Sequence, residues 1–302
     1  MPPVPSPRRL VGSVVAALGA LAVGAPSAYA GFFFPEHGGS PNADKINTLY
    51  LLIFVLAWIV FLGVAGTLLW ALFKFRARKG MVAAQIHGNT RLEIGWTVGA
   101  FLILVFITVF TFITLPGIKN PARSDIDANG NAVAADNPLY ASTDQPPPPA
   151  GSASMNIRVD GQQYVWRYQY PGKEKVFSYV DMVVPVGMTV TLDITADDVA
   201  HSWWIPKLGG KMDAVPGYVN KAWFKIPEDA IPSGQRQVVF FGQCAELCGR
   251  NHANMVARVI GMKFPDYQAW YRDKAAQIKQ AQEQAAKTRK QLQSQESQTA
   301  AQ

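Results

Sequence analysis

Two long apolar runs, separated by a basic stretch, restrict this chain more than any other feature it has. From Leu51 to Phe73 the sequence is almost wholly apolar, and a second run extends from Ile94 to Leu115. At the α-helical rise the first makes a rod about 35 Å long, enough to cross a hydrocarbon core of roughly 30 Å with some tilt. Helices buried in a soluble protein have no need of such length with so little polarity. Lys74, Arg76, Arg78, Lys79 and Arg91 lie between the runs and hold much of a formal net charge of +7. The positive-inside rule keeps that cluster in the cytoplasm and sends both far ends of the hairpin to the other side. Gathered there, the charge is a topology signal, and no motif places a nucleic acid. Trp96 stands where an interfacial aromatic is expected, and Pro116-Gly117 is expected to close the second span.

The remaining segments follow from this frame. Residues 1–30 have the form of a signal peptide: Arg8 and Arg9, an apolar stretch from Leu10 to Gly24, then Ala28-Tyr29-Ala30 as a cleavage site. The rival reading is a first membrane helix, although the run is short and is followed by Pro26 and Ser27. Residues 31–118 comprise an N-terminal segment, expected to be irregular over its Gly-, Pro- and Asn-rich part (31–48), and the two-helix hairpin. Residues 119–154, with the run Pro146-Pro147-Pro148-Pro149, are expected to be a linker or insertion. Residues 155–265 show short alternating runs, among them Met155–Val159, Tyr164–Tyr168, Met188–Leu192 and Gln237–Phe241. With Asp160-Gly161 and Pro171-Gly172 taken as turns, these predict a β-sandwich. Residues 266–302 are polar, expected as a surface helix fraying into a disordered tail. The fold class is therefore α+β: a transmembrane hairpin followed by an extracytoplasmic β-sandwich.

The chemistry is concentrated in Cys244-Ala245-Glu246-Leu247-Cys248-Gly249-Arg250-Asn251-His252-Ala253-Asn254-Met255, with His201 upstream in His201-Ser202-Trp203-Trp204. Thiolate and thioether are soft ligands suited to copper, and imidazole suits it as well. One cysteine, two histidines and a methionine would make a mononuclear blue-copper site. A second cysteine four positions on allows two thiolates to bridge two ions, each with its own histidine, while Met255 and the Glu246 carbonyl act as weak outer ligands. Two alternatives stay open on the sequence: a disulfide between the only two cysteines, and a zinc site formed by Cys244, Cys248, His252 and His201. His37 and His87 fall outside the cluster and read as solvated loop residues.

This string, and the order of signal, two membrane helices and sandwich, resembles cytochrome c oxidase subunit 2 over residues 45–265. The resemblance implies a cupredoxin-like domain with a dinuclear copper centre (CuA) held by His201, Cys244, Glu246, Cys248, His252 and Met255. It also implies a plasma-membrane, multi-pass subunit that accepts electrons from cytochrome c and passes them to haem in subunit 1. Oxygen reduction and proton pumping would take place in that partner, alongside other oxidase subunits and lipid. By the same resemblance, Glu246 offers its carboxylate to a magnesium ion at the subunit 1 interface. Glu93 stands at a proton entry, with an interfacial charge beside Arg91 as the plain alternative. Asp213 faces subunit 1.

One departure from the family concerns electron entry. Gln163-Tyr164-Val165-Trp166 stands where the family has an entry tryptophan, which leaves Tyr164, Trp166 or the copper edge itself to receive the electron. Tyr164 and Trp166 could also simply pack one sheet face. No C-x-x-C-H occurs, so haem belongs to the partner subunit only. Quinol is a poor donor for a chain that keeps the full ligand set. Two competing functions are a membrane-tethered copper carrier, which needs exposed thiolates, and the copper domain of a nitrous oxide reductase, which needs a propeller that this chain has no room for.

Overall fold

The computed structural model describes residues 34–77, 79–80, 82, 84–126 and 153–299. The expected signal peptide and the proline run lie outside the described residues. Helix α1 spans Pro41–Lys74 and helix α2 Thr90–Lys119. Gly117 near the end of α2 lies against Lys45 near the start of α1, so the two helices run antiparallel. None of their central apolar residues is buried within the chain, which leaves Ile59, Phe61, Leu62, Leu102 and Phe112 facing outward. Such a surface is stable against lipid, where helices satisfy their own backbone hydrogen bonds.

Both helices exceed the apolar runs that announce them. The Asn89 side chain caps α2 by accepting from the Leu92 amide at 3.2 Å. The helix then runs through Pro116 to Lys119 instead of stopping at Pro116. A proline one turn from the end removes a single interior hydrogen bond, a cost the flanking contacts absorb. Helix α1 begins ten residues before Leu51, with Pro41 in the first turn, where the composition predicted irregular chain. The reason is tertiary. At 34 residues α1 is about 51 Å long, and its first turn is buried in the sandwich rather than in lipid.

Among the described residues, ten strands form that sandwich: β1 Ser154–Gln162, β2 Val165–Gln169, β3 Phe177–Tyr179, β4 Asp181–Pro185, β5 Thr189–Ala196, β6 His201–Trp204, β7 Met212–Ala214, β8 Asn220–Lys225, β9 Gln237–Cys244 and β10 Val256–Met262. One sheet has the order β3-β2-β1-β5-β8 and the other β4-β10-β9-β6-β7. The β1–β5 and β4–β10 pairs are parallel; the others are antiparallel. Alternation buries Met155, Ile157 and Val159 of β1 while Asn156 and Arg158 face out. These side chains meet Trp166, Tyr168, Leu192, Ile194, Phe224 and Val259 in one core. Each large apolar side chain buried there contributes about 1.5–3 kcal/mol.

Asp160-Gly161 is not a turn; both residues sit inside β1, opposite Arg167 and Trp166 of β2. Asp160 is fully buried, and its carboxylate accepts from Arg158 Nε at 2.8 Å, Arg167 Nη2 at 3.0 Å and the Gln169 amide. Burial alone would raise its pKa, but these donors outweigh burial and hold it below the usual carboxylate range.

Helix α3, Phe264–Thr299, packs its first turns on the sandwich through Tyr267 and Trp270, whose ring lies 5.1 Å from that of Tyr170. It stays helical to Thr299, well past its last buried residue, Ile278, where a disordered tail was expected. Ala, Gln, Lys and Glu are strong helix formers and sustain it without a packed face.

Hairpin and sandwich are joined by more than the chain. Asn42 Nδ2 donates to the Trp223 carbonyl at 2.8 Å, and the Lys225 amide donates to Ser40 Oγ at 3.0 Å. Trp223 Nε1 donates to the Ile118 carbonyl at 2.8 Å. Thr189 Oγ1 donates to the Ala122 carbonyl at 2.6 Å, and Lys225 pairs with Asp125 at 2.7 Å. Residues 119–126 therefore belong to this junction and not to a free linker. Gly209, at φ +141°, completes it: a Cβ there would lie 2.7 Å from the Asn42 amide nitrogen.

Candidate metal centre

Strand pairing brings the sulfur and imidazole donors to one end of a sheet. Trp203 of β6 is in register with Cys244 of β9, and the Ala245 amide donates to the Ser202 carbonyl at 2.9 Å. The Cys244 amide donates to the Met255 carbonyl at 2.9 Å, closing the turn between β9 and β10. Within that turn a short 3-10 segment, His252–Asn254, carries the second histidine back over Cys248.

Each sulfur faces its own histidine. Cys244 Sγ lies 3.8 Å from His201 Nδ1, and Cys248 Sγ lies 3.6 Å from His252 Nδ1. The two sulfurs are 3.9 Å apart. Met255 Sδ is 3.9 Å from Cys248 Sγ, and the Glu246 carbonyl oxygen is 3.3 Å from Cys244 Sγ. His201, Cys244, Cys248 and Met255 are buried, while His252 is partly so. A disulfide needs an S–S separation near 2.05 Å; both cysteines here are free. The donor atoms of His201, Cys244 and Cys248 lie within 4.8 Å of one another, close enough to share an ion. Burial, followed by the neighbouring Cys244, pushes the Cys248 thiol up to about 11. Binding a metal there must displace its proton.

A further layer fixes these donors. His201 Nε2 lies 2.8 Å from Asp198 Oδ1. A proton on Nε2 donated to that carboxylate leaves the Nδ1 lone pair facing Cys244. Burial raises the Asp198 pKa, but His201 and the amides of Gln163 and Val199 more than reverse this and hold it low. The Trp166 ring meets His201 edge-on at 5.8 Å between centroids. Gly161 leaves room for both: a Cβ there would lie 3.0 Å from His201 Cδ2 and 3.0 Å from Trp166 Cζ3. The sequence reading missed Asp198, Gln163 and Gly161. The only signal was the Asp197-Asp198 pair just ahead of His201.

The other expected residues are dispersed. Trp166 is fully buried and has no surface to offer a donor protein. Tyr164 is partly exposed, with its hydroxyl directly over Gly249. Glu93 lies in the first turn of α2, at the far end of the hairpin from the sandwich, and its carboxylate accepts from the Asn89 amide at 3.4 Å. Asp213 is exposed on β7, where its carbonyl accepts from Asn220. The Glu246 side chain is exposed even though its carbonyl turns inward. His37 pairs loosely with Asp44 at 3.7 Å, and His87 is exposed.

Fold and site together define a membrane-anchored, cupredoxin-like protein with a buried cluster of soft metal donors. Residues 27–114 match the family model for the cytochrome c oxidase subunit II transmembrane domain, and residues 178–261 match that for its periplasmic domain. Cytochrome c oxidase subunit 2 of Cereibacter sphaeroides is 30% identical over 282 residues, covering 78% of this chain and 80% of that one. Its counterpart from Alkalihalophilus pseudofirmus is 32% identical over 254 residues, 83% of this chain and 65% of the relative's length. Among solved structures, the periplasmic domain of cytochrome oxidase subunit II from Bradyrhizobium japonicum is 29% identical, with a TM-score of 0.37, over 42% of this chain and 96% of that one. The chain belongs to the cytochrome c oxidase subunit II family. The periplasmic match begins at residue 178, so β1 and β2, with Gln163, Tyr164 and Trp166, fall outside it.

Proposed function

We propose that this chain is the electron-accepting subunit of an oxygen-reducing, proton-translocating cytochrome c oxidase. It takes electrons from cytochrome c and passes them to haem in subunit 1. In this reading His201, Cys244, Cys248, His252, Met255 and the Glu246 carbonyl hold a dinuclear copper centre. The observation that supports it most is the pairing of two sulfurs 3.9 Å apart, each facing a separate imidazole Nδ1. A buried thioether beside Cys248 favours a soft metal over zinc. When bound, such a copper centre would supply a one-electron redox couple suited to electron transfer.

The chain's own residues do the rest. Cys244, Cys248, His201 and Met255 exclude water by burial, which also argues against a carrier that must release its metal. Asp198 holds the His201 tautomer. Tyr164, beside the Cys248-Gly249 turn and partly exposed, is the entry residue that best suits a docking donor. Glu246 presents an exposed carboxylate suited to a hard ion such as magnesium at the subunit 1 face. Glu93, near the basic loop, is assigned to proton entry. Residues 1–30 are assigned as the signal peptide, and the sandwich to the outer face of the plasma membrane.

The test is metal analysis and electron paramagnetic resonance of the full-length chain in detergent after copper loading. A purple protein with a seven-line copper spectrum, lost in Cys248→Ser, is the expected result. A cystine bridge or a single zinc overturns the reading.

A further inference from the structure

Gln163 lies outside the donor set yet reaches both halves of it, Cys248 directly and His201 through Asp198. Its side-chain Nε2 donates to the Cys248 carbonyl at 2.6 Å. Its backbone N–H donates to Asp198 Oδ2 at 2.7 Å, and the other oxygen of that carboxylate holds His201. His201 belongs to β6, and Cys248 to the turn after β9, 47 positions further along the chain. Gln163 itself comes from the β1–β2 connection in the opposite sheet. Gly249 seals the contact: at φ +134° it has no side chain, and a Cβ there would lie 3.0 Å from Gln163 Nε2 and 2.5 Å from the Tyr164 hydroxyl.

We propose that Gln163 is a positioning residue that clamps the His201 half of the cluster to the Cys248 half. The reason is geometric. Sharing of thiolates between two ions requires both sulfurs and both imidazoles to keep their separations. The strand ladder fixes Cys244 against β6 and Met255, but it does not reach Cys248. The Gln163 amide supplies that restraint from the opposite sheet. Because Gln163 is itself exposed, replacing it removes the clamp without emptying the core.

The proposal builds on the copper reading, but its first test needs no metal. In the reduced, metal-free, full-length chain in detergent, the alkylation of Cys248 by iodoacetamide is followed by peptide mass. Gln163→Met keeps the length of the side chain and loses the donor; it should raise the Cys248 rate about fivefold or more as the turn opens more often. Gln163→Lys keeps a donor of similar reach and should stay at the wild-type rate. After copper loading, release to a chelator should be about tenfold faster in Gln163→Met, the usual scale for an outer-layer residue. Wild-type rates in Gln163→Met, or equal acceleration in Gln163→Met and Gln163→Lys, would overturn the clamp. A wild-type chain that takes up no copper would sink the copper reading instead, while the alkylation comparison would still decide the role of Gln163. Should Gln163→Met fail to fold, Gln163→Glu, which places an acceptor against the Cys248 carbonyl, provides the same comparison.

Discussion

Adding one methyl group at Gly161 should damage the proposed metal centre without replacing any of its donors. The Cβ of Gly161→Ala would fall 3.0 Å from His201 Cδ2, 3.2 Å from His201 Cγ and 3.0 Å from Trp166 Cζ3. Carbon atoms pack at about 3.5–4.0 Å, so the overlap is about 0.5–1 Å on two rings at once. Neither ring can yield freely. His201 is fully buried, tied to Asp198 at 2.8 Å and facing Cys244 at 3.8 Å, while Trp166 fills the core. Overpacking of this kind costs about 1–3 kcal/mol. The extent of the damage is read by urea unfolding of the reduced, metal-free chain in detergent, followed by tryptophan fluorescence, and by the copper spectrum after loading. The midpoint should fall, and the hyperfine pattern should change because the His201 ring is pushed aside. Stability within about 0.5 kcal/mol of wild type, the level of an ordinary surface change, together with an unaltered spectrum, would refute the packing argument.

Three other outcomes are expected. Met255→Leu should retain copper and shift the reduction potential in a redox titration, since a single weak thioether beside Cys248 is removed; complete loss of metal would make Met255 a principal ligand. Tyr164→Ala should slow reduction by cytochrome c in stopped flow and leave the copper spectrum unchanged, because Tyr164 covers Gly249 from outside the cluster. Asp160→Asn should destabilise the sandwich by about 1.5–3 kcal/mol near neutral pH, with Arg158 and Arg167, 53% and 32% exposed, regaining water and limiting the loss. Because the Asp160 pKa is depressed on folding, its contribution is full above the unfolded value of about 4 and disappears as pH falls through the folded value. The gap between Asp160→Asn and wild type should accordingly close in acid unfolding curves, and a gap independent of pH would argue against the charge.

The hairpin and the donor string were legible because each is local. Apolarity over some twenty residues and four ligand types within twelve positions need no tertiary knowledge. What remained hidden depends mostly on partners far along the chain, or on residue types that do not announce a metal site. Pro41–Thr48 looks irregular by composition, yet it is helical because Asn42 finds Trp223, 181 positions away. Asp160-Gly161 has the dipeptide chemistry of a turn. It continues β1 because β2 supplies Arg167 and Gln169 to the carboxylate, and because the bare glycine makes room for His201. Gln163 and Asp198 reach the cluster across 85 and 3 positions respectively, and neither residue type announces a metal site. The length of α3 was misjudged for the opposite reason: helix propensity alone carries it beyond the last packed residue.

The junction changes what the covalent link between the two halves is for. The start of α1, through Ser40 and Asn42, and the exit of α2, through Ile118, Ala122 and Asp125, both plug into β5 and β8. A protease nick between Ile126 and Ala153 would cut the polypeptide but leave these contacts in place. The two fragments should migrate as one particle on a sizing column, like a turret bolted to its deck rather than a buoy on a rope.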